Sequence, residues 1–204
     1  MSERVKIILD KNADILRLPA IALRGLVVFP GNIIHFEVGR KKSIAAIEWA
    51  MSNNNAVFLT AQQDMDVEDP GFKDLYAYGV VAEVKQVLRV SDELVKVLVE
   101  GKYRAKLLTL DSSGRFLLAS TKAAALRGTK SVDSARMEAL VRSVKEVFEE
   151  YLSLNPRLSK DVVYTIITNE DAALLCDYIP ANLLLKYTDK QALLNEGTVS
   201  GRLE

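Results

Sequence analysis

Apolar residues change their spacing once along this chain, near residue 123. Before that point they come in short runs cut by turn residues: 18–29 ends at Pro30-Gly31, 33–38 ends at Gly39, and 57–60 stands alone. Two later runs alternate. In 80–90, Ala82, Val84, Gln86, Leu88 and Val90 share one face, opposite Glu83, Lys85 and Arg89; in 94–100, Val95, Val97 and Val99 lie opposite Lys96 and Glu100. Period-two alternation with β-branched residues predicts strands. Ser91-Asp92-Glu93 links the two runs as a hairpin, without the Gly of the favoured tight turns. Residues 103–110 and 116–121 flank Asp111-Ser112-Ser113-Gly114, a second hairpin.

One helix interrupts the strands. Ile44, Ile47 and Met51 recur at helical spacing over 43–51 among Ala45, Ala46 and Ala50, and Asn53-Asn54-Asn55 stops it. Residues 64–78 are acidic (Asp64, Asp66, Glu68, Asp69, Asp74), contain Pro70-Gly71 and show no period, which predicts a long loop. Loops of that length are usually functional or mobile.

After Gly128 the period is helical. Ser131 or Asp133 caps a long helix with the stripe Met137, Leu140, Val141, Val144, Val147, Phe148 and Tyr151, ended by Asn155-Pro156. Helices follow at 161–168 and 171–179, the latter stopped by Pro180; Thr188 caps 189–195, which closes at Gly197. Thr198 is a fresh cap six residues before Glu204. A single turn does not stand alone, so the chain is expected to be a piece of a longer protein. Its class is α+β, with a β-rich domain over 1–122 and a helical one over 123–204.

Composition narrows the function. The 204 residues carry 27 Lys+Arg against 27 Asp+Glu, and this neutrality argues against binding nucleic acid by bulk positive charge. One Cys excludes an internal disulfide and fits a reducing compartment. With a single His beside it, almost no ligand set for structural zinc remains. Residues 1–10 are charged at Glu3, Arg4, Lys6 and Asp10, with only Ile7-Ile8-Leu9 continuously apolar, so no signal peptide is read there. No stretch approaches the ~20 apolar residues of a membrane helix. A soluble cytoplasmic protein without a membrane partner is expected.

Catalytic chemistry is thin. His35 has no neighbouring nucleophile and reads as a packing or rim residue. Cys176 lies beside Leu174 and Leu175 as a buried, inert thiol. Gly128-Thr129-Lys130-Ser131 is similar to the end of a phosphate loop but lacks Gly before Lys and has Ala124 where the earlier Gly is needed. Asp64, Asp66 and Glu68 lack the Gly and terminal Glu of a calcium loop. Arg40-Lys41-Lys42 opens the first helix, where its dipole disfavours cations; the cluster is either ordinary exposed charge or meets an acidic partner. Trp49 reads as packing. Catalytic, cofactor-binding and metal-binding residues are therefore expected to number none.

The same runs, in order, resemble the amino-terminal domain of the Lon ATP-dependent proteases. The likeness begins at Leu18-Pro19, Leu23-Arg24 and Val27-Val28-Phe29-Pro30-Gly31, and continues through Val38-Gly39-Arg40 and Ser43. It resumes at Asp69-Pro70, Asp74-Leu75-Tyr76, Gly79, Val97-Leu98-Val99-Glu100-Gly101 and Arg104. Asp189-Lys190-Gln191, Leu193-Leu194 and Arg202-Leu203-Glu204 carry it, more loosely, in the second half. Ser91-Asp92-Glu93 departs from the family's Pro-Asp-Gly at the hairpin.

The resemblance implies a PUA-like β half-barrel followed by a helical subdomain, truncated before an ATPase module. It also implies a parent homohexamer that unfolds proteins with ATP and Mg and cuts them with a Ser-Lys dyad, parts lying beyond Glu204. What remains resembles the part that receives substrates and assists assembly. Its expected partners are unfolded or misfolded proteins, met through shallow apolar surface, and other copies of itself. The candidate contacts are Phe29 and Pro30 at a strand end, and Phe72 and Leu75 in the acidic loop; Phe72, among charges beside Pro70-Gly71, is the most informative. Two alternatives are a stand-alone ligand- or adaptor-binding module, against which the unfinished terminal helix speaks, and a nucleic-acid binder, against which neutral charge speaks.

Overall fold

Residues 18–23 are apolar without alternation because both faces of their strand are covered. In the computed structural model, which describes residues 15–127, 134–155 and 157–204, this strand is β1 (Ile15–Leu23). Leu18, Ala20 and Ala22 point into one core, Ile21 and Leu23 into another. Around it stand β2 (Ile33–Val38), α1 (Lys41–Met51), β3 (Ala56–Ala61), β4 (Tyr78–Ser91), β5 (Leu94–Asp111) and β6 (Leu117–Ala123).

The sheet order is β2-β5-β4-β3-β1-β6, all neighbours antiparallel except β1 and β3. β6 pairs with β1 and also with β5, which closes five strands into a small barrel. Leu18, Phe58, Val81, Ala105, Leu107 and Ala119, one or more from each of the five, fill it. The other core lies under α1, where Ile44 and Ile47 meet Val57, Leu59, Val84 and Val97. Trp49 packs against Phe116, ring centroids 5.7 Å apart, as its packing role predicts.

The runs 94–100 and 103–110 are one strand, not two. β4 covers one edge of β5 from Leu94 to Lys106; the other edge takes β2 along Val95–Glu100 and β6 along Ala105–Asp111. Val95, Val97 and Val99 are buried as their alternation predicts. The matching alternation in β4 holds only to Val84. Register slips at Val84/Gln86 and Arg89/Ser91 place an extra residue in the ladder, which turns the following side chains over. Val87 therefore packs on the core, while Gln86, Leu88 and Val90 face solvent.

The chain divides between Ala124 and Ala125. The second unit comprises α2 (Ser134–Leu154), α3 (Lys160–Thr168), α4 (Ala172–Asn182), α5 (Tyr187–Asn195) and α6 (Val199–Leu203). Ser159, Asp171 and Thr198 accept hydrogen bonds from the first-turn amides of α3, α4 and α6. Val141 and Phe148 of the long stripe enter a core with Ile166, Leu175, Cys176 and Leu203, but Val147 is exposed. Burial pushes the Cys176 thiol up to about 12, consistent with an inert packing role.

Two predicted boundaries are corrected. α4 runs through Pro180 to Asn182, because the last turn closes around the ring: Leu183 N–H donates to the Ile179 carbonyl at 3.0 Å and Asn182 Nδ2 to that of Tyr178 at 2.8 Å. α5 starts at Tyr187, with Lys186 rather than Thr188 at its N-cap. Arg202 explains why α6 is stable at five residues. Its buried guanidinium pairs with Asp177, and Nε donates to the Glu196 carbonyl at 2.9 Å. The expectations for residues 1–10, the cap at Ser131 or Asp133, Gly128-Thr129-Lys130-Ser131 and Pro156 lie outside the described residues.

Candidate functional site

The acidic stretch between β3 and β4 is irregular, as its lack of period predicts, yet it is tied down at several points. Gln62 is fully buried; its Nε2 donates to the carbonyls of Asp64 (3.0 Å) and Val67 (2.9 Å). Gln63 Nε2 donates to Leu75 O at 2.9 Å, and Tyr76 N–H to Ala61 O at 3.0 Å. Arg40 reaches in from the start of α1. It donates to the Gln62 side chain, to Val67 O at 3.1 Å and to Ala22 O at the end of β1 at 3.1 Å. Arg24 adds a third donor to Val67 O at 3.3 Å, and Lys42 pairs with Asp69 at 2.9 Å.

The Arg40-Lys41-Lys42 cluster thus meets an acidic partner within the same chain, through Arg40 and Lys42. Arg40 stands at the helix N-cap without capping it, so its guanidinium is free to clamp the loop. Burial first, and Arg24 second, pull its pKa below the ordinary value, while Asp69 and Glu68 oppose them.

On this tied loop a 3-10 turn, Phe72–Asp74, is closed by Gly71 N–H donating to Asp74 Oδ2 at 2.8 Å. Phe72 is 47% exposed at the start of that turn. Of the four candidate contacts, it is the one presented to solvent as expected, and Pro30 is half-buried. Phe29 and Leu75 are corrected: they are 0% and 3% exposed. Leu75 points into the barrel, where a bridge between Gln62 and Leu75 holds it. Phe29 ends a buried run, Val27 to Phe29, whose backbone is stitched to β5 just beyond it: Gly31 N–H donates to Gly101 O at 2.8 Å. The strand end that makes Phe29 conspicuous in sequence is inside the fold.

A second feature escaped the sequence. A cleft of about 320 Å³ lies between the end of β1 (Ile21 to Leu23) and the end of β2, walled by Leu26, Phe36, Val38 and the two arginines. No local pattern in the sequence points to it, since its walls come from separate segments. No helix among the described residues is long and apolar enough to cross a membrane.

The fold has solved counterparts. The N-terminal domain of a Mycobacterium avium complex Lon protease superposes with a TM-score of 0.73 at 20% identity, covering 92% of this chain and 94% of that one. A Lon N-terminal domain protein from Xanthomonas campestris gives 0.63 at 14%, with the same coverage. The fold is that of Lon N-terminal domains. Residues 17–204 match the family model of the ATP-dependent protease La (LON) substrate-binding domain, and the chain belongs to that family. It is 37% identical to the Lon proteases of Desulforamulus reducens over 193 residues and of Escherichia coli K12 over 194, each alignment covering 95% of this chain. The chain spans about a quarter (24%) of the length of these curated relatives.

Proposed function

We propose that this domain receives unfolded or damaged polypeptides for an ATP-dependent protease and takes part in assembling its homohexamer. The observation that carries the reading is Phe72, an aromatic ring held out to solvent on a loop that Gln62, Gln63 and Arg40 fix in place. Pro30 supplies a second, half-buried apolar contact on the β1–β2 connection. A rigid ring costs little conformational entropy when it is covered, and a shallow contact accepts many sequences. The domain itself performs neither ATP hydrolysis nor peptide cleavage and holds no cofactor; ATP and Mg belong to other parts of proteins as long as the relatives.

The test is a titration of a labelled, permanently unfolded protein and its folded counterpart against wild type and Phe72→Ala, at low and high salt. The unfolded form binds weakly, at about micromolar Kd, because ordering a flexible client is costly. Binding survives salt, since apolar contacts are not screened. Equal affinity for the folded form would sink the reading, and an unchanged affinity in Phe72→Ala would remove that residue from it.

A further inference from the structure

β2 is an edge strand. Among the described residues it pairs with β5 and with no other strand. Its hydrogen-bonding phase follows from the turn before it, where Gly101 N–H donates to Asn32 O at 2.9 Å, so the next hydrogen-bonded pairs to β5 are Ile34 with Val99, Phe36 with Val97 and Val38 with Val95. The alternate residues Ile33, His35 and Glu37 therefore turn their backbone N–H and C=O groups away from β5. Their side chains are exposed, and those of Ile34, Phe36 and Val38 lean toward the core. Such an edge is a template for a further strand.

Beside the C-terminal half of this edge opens the cleft of about 320 Å³, with Phe36 and Val38 in one wall and Ile21, Leu23 and Leu26 across it. Of the charged residues in its lining, Arg24 and Arg40 already donate to the Val67 carbonyl of the acidic loop, where Asp69 and Glu68 also act on Arg40, and Glu37 is the one carboxylate in the wall. The occupant these features fit is uncharged, extended and apolar at alternate positions.

We infer that the free edge of β2 captures an extended, uncharged segment of an unfolded polypeptide as an added strand, with an apolar side chain of that segment seated in the neighbouring cleft. This rests on the reading of the domain as a receiver of unfolded chains, and gives that reading a mode. Main-chain pairing supplies affinity without regard to sequence, and the cleft selects for an apolar side chain at the position that faces it. A folded client has most of its backbone groups paired internally and offers far fewer segments free to add as a strand.

The experiment uses the 204-residue chain and a labelled ten-residue peptide alternating Val and Thr, followed by fluorescence anisotropy. Two further peptides carry N-methyl groups on all Val or on all Thr amides, which block opposite backbone edges. One methylated peptide binds at least about tenfold more weakly than the parent and the other keeps its affinity. His35→Pro removes an edge donor while leaving the β5 ladder intact, and it loses peptide binding with an unchanged melting curve. Equal binding of both methylated peptides overturns the inference, even if His35→Pro fails to fold. So does a concentration-dependent dimer in sedimentation that His35→Pro abolishes, because the edge is then taken by a second copy. Binding of the unfolded protein without any methylation effect overturns the added strand alone; loss of all unfolded-protein binding by wild type overturns the underlying reading as well.

Discussion

Gly101 lies against the backbone of Phe29 so closely that a Cβ on it would stand 2.2 Å from the Phe29 carbonyl oxygen. The obstacle is backbone, which has no rotamer to yield. Gly101→Ala is expected to lower stability by at least about 2 kcal/mol, read as a fall in denaturant midpoint at constant slope. Gly31, which turns the same connection with φ +75° and open space around its α-carbon, provides the contrast. Gly31→Ala costs about 1–2 kcal/mol from backbone strain alone, and Gly31→Asn less.

Phe72 and Leu75 separate surface from core within four residues. Phe72→Ala leaves the melting temperature within a degree or so of wild type, since exposed substitutions fall within about 0.5 kcal/mol. Leu75→Ala empties part of the barrel and costs about 2–5 kcal/mol. Thermal unfolding of the two variants side by side decides it; equal losses would place Phe72 in the core.

The acidic loop depends on a planar, multiply donating group at position 40. Arg40→Lys keeps the charge but cannot reach Ala22 O, the Gln62 side chain and Val67 O together. The expected result is faster limited proteolysis within 62–77, with the sheet intact by circular dichroism. Unchanged cleavage kinetics would show that Gln62 and Gln63 hold the loop unaided.

On the β4–β5 surface, Lys85 and Lys102 both bridge Glu83 and Glu100 at 2.6–2.9 Å. Hydrogen bonds from Lys102 first and Lys85 second hold the Glu100 carboxyl down at about 2, against an ordinary 4.5, and lower that of Glu83. A carboxyl depressed in the folded state contributes stability above its unfolded pKa and loses it as pH falls through the folded one. The thermal midpoint should therefore decline between about pH 4.5 and 2, less steeply in Glu100→Gln. Lys85 and Lys102 are exposed and the two carboxylates half-buried at the surface, so 1 M salt flattens the slope. A slope unaffected by both changes would remove the cluster as its source.

Much of the fold was legible because the period of burial switches with the element. Strand alternation marked Val95, Val97 and Val99, and helical spacing marked Val141 and Phe148. What failed were features set by tertiary pairing. The slips in β4 came from matching two strands of unequal local length, which no single-strand pattern contains. Pro180 was read as a stop although its side chain is buried and the turn around it is otherwise closed. The exposure of Phe72 was legible from its charged surroundings, while Phe29 and Leu75 were expected at the surface and are buried, because hydrophobicity near a turn does not say which side of the wall a residue occupies. The cleft beside β2 joins residues 21–26 to 36–43, and only folding brings them together.

β5 has a consequence for biosynthesis. It pairs with strands that begin at Ile33 and end at Ala123, and it furnishes walls to both interiors of the first unit. As the chain emerges from a ribosome, residues 15–111 can collapse around α1, but the barrel stays unsealed until β6 arrives to join β5 to β1. Closure is thus a long-range, late step, and such steps are slow. In that interval Leu107, Ala105 and the inward side of β1 are open to water, so the nascent form of a domain read here as a receiver of unfolded chains is itself a candidate for capture by a finished copy.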